Sequence, residues 1–483
     1  MPEFTHVSLL PVFLLALVSL GIGLVWKAAL RGKDAYLQAA QGITAWVVVP
    51  AFCATLLGAS ELLGLSALAA GGGMWQALGF ALGFVPALLL TSRWAATRLA
   101  DAQAGTVAGL LGERYGRRVR SLSACIYVAL YVLGAALALG VAARAVQGMH
   151  VLDALVRGRG WTVESIYPGV GMLSAMVVLL GMLWGGLTAS LYARALQFCV
   201  LLVGLLPLTL QGASSAGGWS ALAVTDLSGV WMHPLLAAGV GVLAGLGVGS
   251  ADFRLLQVLA ACRKRAILRR VPLLALLPLL AVFLLVILPG AAAPLLPTPQ
   301  NVVSESVIEG AIVRTTSVVR PEEAAGRGLT PAQTDAATGS LLRQGGFVRL
   351  EYAMAAPKLA MKTLRERGLG LFLAALLAAL LSGVSAQLTA SVALLDQDLL
   401  PLFWKRPAED PLRIVRWLTA GVMVVVAALA MALRSHGLAS TQLLLLYSAT
   451  ACAVLGVAGL GMRTVPVRTA RRQEKARRKS SGF

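Results

Sequence analysis

The feature that most constrains this chain is a series of eleven long apolar stretches separated by polar segments. A stretch of about 20 mostly apolar residues can cross the hydrocarbon core of a bilayer, and backbone hydrogen bonding inside lipid favours helices. Only 13% of the residues are charged, about half the share in soluble domains. The sequence therefore predicts an all-α polytopic membrane protein. Its about 11 transmembrane helices span residues 7–30, 43–70, 75–90, 122–143, 169–186, 195–211, 232–249, 271–293, 369–395, 417–433 and 441–462.

The basic residues lie in a few segments between these stretches and predict the orientation. Segment 93–120 has six Arg against two acids, segment 252–270 has six basic residues against one acid, and the tail 463–483 has eight against one. Short loops rich in Lys and Arg stay in the cytoplasm, and all three segments fall on one side if eleven spans are counted. We predict a multi-pass protein of the cytoplasmic (inner) membrane, with the N-terminus outside and the C-terminus cytoplasmic. The net charge of +20 is thus assigned to orientation, and no nucleic-acid partner is predicted.

Two polar segments and the cysteines indicate no further chemistry. Segment 297–367 is placed outside, where either a lid or a solvated excursion fits its composition. The tail 463–483 is interpreted as a basic anchor near anionic lipid. The sequence has no Cys/His cluster with metal-ligand spacing and no motif such as HExxH, so neither a bound cofactor nor an enzyme activity is predicted.

Four motifs give the chain a resemblance to a known family. In the second of them, LWGGLTASLYARALQF, a Gly-Gly turn precedes a small residue, an aromatic residue and a Leu-Gln pair: Gly185, Gly186, Ala189, Tyr192, Leu196 and Gln197. The others are GASELLGLSALAAGGGMWQALGFALG, LLQVLAACRKRA and LAALLSGVSAQLTASVALLDQDLL, beginning at Gly58, Leu255 and Leu377. In order and spacing the four resemble the sodium/solute symporter family.

The resemblance implies a leucine-transporter-like architecture, in which two five-helix repeats are inverted relative to each other. Residues 1–30 would form a leading helix, 43–211 the first repeat, 232–462 the second repeat with the outside loop at 297–367, and 463–483 a cytoplasmic tail. Such folds bind solute near the bilayer midplane, where two helices are broken. Gly58, Ser60 and Gly64 would interrupt one helix, and the small residues from Gly245 to Ser250 the other. The alternative is that these small residues only permit close helix packing.

The resemblance also implies a sodium site between the first and eighth core helices. The backbone carbonyls would come from Ala54, Leu57 and Ala379, and a hydroxyl from Ser382. The next position is Gly383, where the family has Ser or Thr, so the cage is weakened because a hard cation takes about six oxygen ligands.

A second departure from the family pattern is Arg194, which stands where the family usually has an aspartate that assists sodium. A fixed cation there would repel sodium. The alternative is that Arg194 lies at the cytoplasmic end of its helix and extends to the lipid headgroups.

Charged residues at membrane depth indicate the solute site. Glu61 lies inside an apolar stretch, where ionisable residues are usually functional. It would be either a counter-ion for a cationic or amine solute or a proton carrier; the alternative is that it lies near the outer water interface or is held by a structural hydrogen bond. Phe253 aligns with an aromatic residue or His near the family's substrate site. Asp252 and Arg254 either belong to that site or form a loop pair at the cytoplasmic mouth. Weaker candidates are Thr55 and Ser60.

These observations predict a secondary transporter (symporter) that imports a small organic solute by alternating access, with Na+ as the expected coupling ion. The first alternative is proton-coupled or uncoupled transport that uses Glu61. The second is a non-transporting membrane receptor on the same bundle, which is disfavoured because the tail after Met462 is too short to fold as a signalling domain. The solute, the stoichiometry and the oligomeric state stay open.

Overall fold

The computed structural model describes residues 9–30, 32–39, 43–101, 105–149, 163–223, 233–262, 265–295, 300–308, 311–319, 346–350, 354–403 and 410–433. The helices up to the first long loop are α1 Leu10–Ala29, α2 Gly32–Gln38, α3 Ala45–Leu56, α4 Ala59–Asp101, α5 Val107–Tyr115, α6 Arg117–Gly148, α7 Val163–Ser215, α8 Trp219–Ala223, α9 Pro234–Ala251, α10 Phe253–Ala260, α11 Arg265–Leu274 and α12 Leu276–Ala292. After it come α13 Ala355–Thr363, α14 Glu366–Leu394, a π-helix Leu395–Leu399, α15 Leu400–Phe403 and α16 Pro411–Leu433.

Ten of the eleven predicted spans fall on these helices, and the span 441–462 lies outside the described residues. Eight helices in the described part of the chain are long and apolar enough to cross a membrane. Two of them contain a bend: α7 joins the predicted spans 169–186 and 195–211, and α4 joins the second half of the span 43–70 to the span 75–90. The bends lie at Gly73, with φ 80°, and at Gly186, with φ 60°. Glycine suits both positions because positive φ is costly for residues that carry a Cβ.

The centre of the bundle is α14. In the most apolar 18 residues of the segment Glu366–Phe403, which contains α14, 89% of the positions are buried, against 17% in α1. Other helices therefore enclose α14, while α1 lies at the periphery. Beyond its exposed first turn, side chains on every face of α14 therefore meet mostly protein rather than lipid, which is why polar residues can be accommodated along it.

A three-stranded antiparallel sheet is an addition to the helical fold that the sequence analysis did not include. Its strands are β1 Gln300–Ile308, β2 Ala311–Val319 and β3 Gly346–Leu350, in the order β2-β1-β3. All three lie in the long polar segment 297–367, outside the apolar spans.

The first helix break lies between α3 and α4. Leu57 leaves the helical conformation with φ −116° and ψ 66°, although its N–H still donates to the Ala54 carbonyl at 3.3 Å. Gly58 follows, and α4 begins at Ala59. The structure therefore shows the predicted interruption at Gly58, whereas Ser60 and Gly64 are helical.

The second break is a single residue, Asp252, between α9 and α10. Its ψ of 104° is extended, and its Oδ1 accepts from the Arg254 backbone N–H at 3.0 Å. This is the usual N-cap interaction, in which a short acidic side chain satisfies a free N–H at a helix start. Asp252 thus both ends one helix and begins the next.

The glycines before this break serve packing. Gly241, Gly245 and Gly249 lie one turn apart on α9, and a Cβ at any of them would collide with backbone of α4, at Phe80, Phe84 and Leu88 respectively. Small residues at this spacing let two helices approach closely in a membrane. The structure therefore supports the alternative interpretation of Gly245 and Gly249, namely that they permit close helix packing. The helix is interrupted only after them, at Asp252.

Candidate functional site

The two helix breaks bring together charged residues that are about 190 positions apart in the chain. Arg254 Nη1 lies 4.0 Å from Glu61 Oε1, at the outer limit of an ion pair. The Glu61 carboxylate also folds back over Gly58, with Oε2 2.6 Å from where a Cβ of that glycine would be. The candidate solute residues Glu61, Asp252 and Arg254 therefore form one cluster, which we call the break cluster.

Within the break cluster, Arg254 is held by Asp252 rather than by Glu61. Arg254 Nη2 donates to Asp252 Oδ2 at 2.7 Å, and Nε donates to both carboxylate oxygens at 3.1 Å. Charge-assisted bonds in this forked geometry are the strong ones. Both side chains are buried, at 4% and 8% exposed, so the pair is enclosed by protein; whether it belongs to the solute site or to the cytoplasmic mouth stays a prediction.

Tyr131 of α6 supports the break cluster, and sequence reasoning missed it. Its hydroxyl donates to Asp252 Oδ1 at 3.0 Å and accepts from the Phe253 backbone N–H at 3.0 Å. Its ring lies 5.6 Å from the Arg254 guanidinium carbon, within cation–π range. One turn away, the Tyr127 hydroxyl donates to the Ala251 carbonyl at 3.0 Å. The only sequence signal was a pair of tyrosines four residues apart on one face of an apolar helix.

The other candidate solute residues lie on three different helices, α3, α4 and α10. Phe253 is buried at the start of α10. Ser60 is partly exposed in the first turn of α4, on the same turn as Glu61. Thr55 lies on the opposite side of the break in α3; its hydroxyl donates to the Ala51 carbonyl at 2.7 Å and accepts from Arg194 at 3.2 Å. The role of each in solute binding stays a prediction.

Arg194 occupies the interior of the bundle. It is 1% exposed, and its guanidinium donates to Ser190 of its own helix, to Thr55 of α3, and to Ser385 and Thr389 of α14. The prediction that it extends to the lipid headgroups is therefore wrong. Sequence could not reveal its partners on α3 and α14, since these residues are more than 130 positions away.

The predicted sodium ligands lie where α3 meets α14. The Ser382 hydroxyl donates to the Ala379 carbonyl at 3.0 Å, and the Ala54 carbonyl accepts from Leu57. At Gly383, where the family has a hydroxyl, a Cβ would lie 2.9 Å from the Gly58 Cα. The space for a side chain at this position is thus filled by backbone, so the hydroxyl that the family has there is absent, and the sodium site stays a prediction.

A second charged cluster, also missed by sequence reasoning, lies at the end of α14. Lys33 of α2 pairs with Asp396 at 2.8 Å, and Arg120 of α6 pairs with Asp398 at 2.7 Å. Thr106 donates to the other Asp398 oxygen at 2.6 Å. The signal was an Asp-x-Asp directly after a long apolar stretch. We call it the terminal cluster.

Comparison with solved structures shows the same fold in known transporters. A Na+-coupled sialic acid symporter, in a substrate-bound outward-open state that revealed a novel Na+ site, matches with a TM-score of 0.69 and 13% identity over 94% of this chain and 87% of that chain. MHP1, a nucleobase-cation-symport-1 family transporter in a closed conformation with bromovinylhydantoin bound, matches with a TM-score of 0.55 and 13% identity over 88% of this chain and 78% of that one.

At the level of sequence, no curated protein matches the chain. The model of the sodium:solute symporter family matches residues 36–462, which is most of the chain. This match agrees with the fold. The chain therefore belongs to the sodium:solute symporter family, and it is a multi-pass membrane protein that acts as a secondary transporter and not as an enzyme.

Proposed function

We propose that this transporter imports a small organic solute that carries an amine or another cationic group, by alternating access around the break cluster. The observation that carries the proposal is that both helix breaks place charged side chains within ion-pair distance of each other, at Glu61, Asp252 and Arg254. Backbone groups freed by broken helices and buried charges together are the usual elements of a transporter solute site.

The charge balance of the break cluster favours a cationic group on the solute. The cluster has two carboxylates and one guanidinium, and Asp252 already takes the shortest bonds to Arg254. Glu61 is held only at 4.0 Å and is 26% exposed, so its carboxylate is the member that a solute can reach. An amine placed against Glu61 would give the cluster a second positive charge and leave no carboxylate without a partner.

Sodium is the proposed driving ion, because the family to which the chain belongs couples solute movement to sodium. We place the protein in the cytoplasmic membrane with its N-terminus outside, which rests on the three basic segments. We also assign residues 43–211 and 232–462 to the two inverted repeats. The positions of the breaks support this assignment, since each one falls in the first helix of a repeat.

An alternative driving ion is the proton, with Glu61 as its carrier. The partial exposure of Glu61 at the break favours this second candidate, because a proton carrier must reach water on one side of the membrane and then the other. In that case the proton and an amine would compete for the same carboxylate.

The test of the proposed function is uptake into proteoliposomes that contain the full-length protein. A panel of small amines, amino acids, sugars and carboxylic acids is offered under an inward sodium gradient, an inward proton gradient, or neither. We expect gradient-driven accumulation of at least one amine-bearing compound. Absence of stimulation by either gradient across the panel would end the symporter interpretation, and accumulation confined to anions would reject the solute class.

The role of Glu61 is tested by Glu61→Gln, with Glu366→Gln as the matched control. The control makes the same chemical change at Glu366, which is exposed at the start of α14. We expect Glu61→Gln to reduce uptake of a cationic solute at least about 10-fold, the loss that one ion pair worth 1.4 kcal/mol accounts for, and Glu366→Gln to leave it unchanged. If Glu61 carries the proton instead, the variant also loses its dependence on the proton gradient; an unchanged pH profile removes that role.

A further inference from the structure

The strongest feature that the proposed function leaves unused is the buried Arg194 guanidinium. Among the described residues, no carboxylate forms an ion pair with it, in contrast to Lys33, Arg120 and Arg254, each of which pairs with an acid. The guanidinium of arginine stays protonated inside proteins. A full positive charge is therefore buried in the bundle and stabilised by neutral groups alone.

The neutral groups form a ring of oxygens from three helices, which we call the oxygen ring. Ser190 Oγ accepts at 2.8 and 3.1 Å, Thr389 Oγ1 at 3.0 Å, Ser385 Oγ at 3.2 Å and Thr55 Oγ1 at 3.2 Å. The Ser385 carbonyl contributes a longer contact at 3.5 Å. Hydroxyl and carbonyl oxygens are the ligands that hard monovalent and divalent cations take in proteins.

The orientation of the hydroxyl groups shows that the oxygen ring presents lone pairs to its centre. Thr55 donates its proton to Ala51 O at 2.7 Å, Ser385 to Ser382 O at 3.0 Å, and Thr389 to Ser385 O at 3.0 Å. Each hydroxyl has one proton to give, and these three are directed along their own helices. The hydroxyl oxygens of Thr55, Ser385 and Thr389 can therefore act only as acceptors towards Arg194, which is the requirement for binding a cation.

The space beside the ring is too small for an organic solute. The cavity beside it, lined in part by Ser190 and Ser385, has a volume of about 30 Å³. That is room for about one water molecule, whereas pockets for organic ligands are about ten times larger. The ring is therefore a site for a cation or for water, and its position between α3 and α14 is next to the place where the resemblance puts sodium.

We propose that the Arg194 guanidinium is a tethered cation that occupies the oxygen ring of Thr55, Ser190, Ser385 and Thr389 in place of a sodium ion. It joins α3, α7 and α14 as a bound ion would, but it cannot dissociate. A sodium ion that drives transport then binds outside this interface. The proposal does not depend on which solute is moved, since it concerns only the cation at the ring.

The test measures the apparent melting temperature of the full-length protein in detergent while sodium replaces choline at constant ionic strength. Arg194→Ala and the more conservative Arg194→Gln remove the tethered charge and leave the ring. We expect both to gain a sodium-specific rise of at least about 2 °C relative to the wild type, because a ligand that binds only the folded state stabilises it. Arg194→Lys keeps a cation and should show no such gain.

The matched control is Arg413→Ala, which removes one positive charge from an exposed position on α16 and should respond to sodium as the wild type does. The proposal is overturned if Arg194→Ala and Arg194→Gln respond no more than the wild type, or if Arg194→Lys gains the same response. If neither neutral variant can be purified in folded form, recovery of folded protein with Arg194→Lys shows that the ring requires a cation, and failure of all three variants rejects the proposal. Absence of solute uptake by the wild-type protein would count against the proposed function alone, because the melting temperatures report only on the cation at the ring.

Discussion

The break cluster and the oxygen ring stabilise buried arginines in two different ways. Arg254 is bonded to a carboxylate, with Asp252 at 2.7 Å, and has a second acid, Glu61, at 4.0 Å. In the described part of the chain, the hydrogen-bond acceptors of Arg194 are all hydroxyl or carbonyl oxygens. Both guanidinium groups are almost fully buried, so the difference lies in their partners and not in their depth.

The difference in partners suggests a difference in role. A cluster that holds opposite charges can exchange partners when a charged solute arrives, and the part-exposed Glu61 is the group that can change. A ring of neutral oxygens around a tethered charge has no charged partner to exchange. The first arrangement suits a binding site and the second a permanent connection between helices. The predictions below test this contrast, beginning with the largest expected effect.

Asp252→Asn should have the largest effect on stability. The substitution keeps the shape and the cap of α10 but leaves Arg254 without its close carboxylate, and breaking a buried ion pair costs about 4 kcal/mol. Thermal unfolding in detergent measures the loss. Asp410→Asn, which changes an exposed cap of α16, is the control and should cost far less. Equal effects of the two substitutions would remove the basis for the contrast.

Gly383→Ser tests whether the missing hydroxyl of the predicted sodium site can be restored. The new Cβ would lie 2.9 Å from the Gly58 Cα, and backbone cannot rotate away, so we expect a cost of about 3 kcal/mol from overpacking. Gly421→Ser on α16, where a Cβ meets nothing within 4 Å, should be tolerated. A stable Gly383→Ser variant that gains a sodium response would show that the interface accepts the ion after all.

Tyr131→Phe should weaken the break cluster by an intermediate amount. It removes the hydroxyl that donates to Asp252 and leaves the Phe253 N–H without its acceptor, for a cost of about 2 kcal/mol. Tyr127→Phe, one turn away, removes a bond to the neutral Ala251 carbonyl and should cost about 1 kcal/mol. A comparison of the two melting temperatures separates support of the charges from ordinary hydrogen bonding.

Thr389→Val should have the smallest effect of the four. It removes one oxygen from the ring, but Arg194 keeps its bonds to Ser190, Ser385 and Thr55, so we expect about 1.5 kcal/mol. Thr97→Val removes a hydroxyl that donates only to its own helix at Trp94 and serves as the control. A ring variant no less stable than this control would mean that the hydroxyl groups do not stabilise the guanidinium.

The sequence allowed much of the fold to be predicted because lipid limits the options of an apolar chain. Length and hydropathy located ten spans that the structure places on helices, and the motifs indicated the family. The break before α4 was expected at Gly58 and is found there. The glycines near the second break were harder to interpret, because the same residues that favour a break also permit close packing.

Less of the site could be predicted, since its geometry depends on contacts between distant helices. Glu61, Asp252 and Arg254 were candidates by charge and depth, but that they meet could be known only from the packing of the two breaks. Arg194 was noticed as a departure from the family pattern, whereas Thr55, Ser385 and Thr389 are ordinary small polar residues in apolar stretches. Hydroxyl groups carry no sequence signal of their own, and so the oxygen ring could not be foreseen.

The terminal cluster has a consequence for how the central helix can move. Its two carboxylates, Asp396 and Asp398, lie in the short π-helix at the end of α14 and reach to α2 and α6 respectively. The π-helix has a wider turn than an α-helix, and its two carboxylates pair with two separate helices. Tilting of α14 during a transport cycle must therefore either carry both elements along as one rigid body or open at least one of these pairs, so this junction sets which helices travel together.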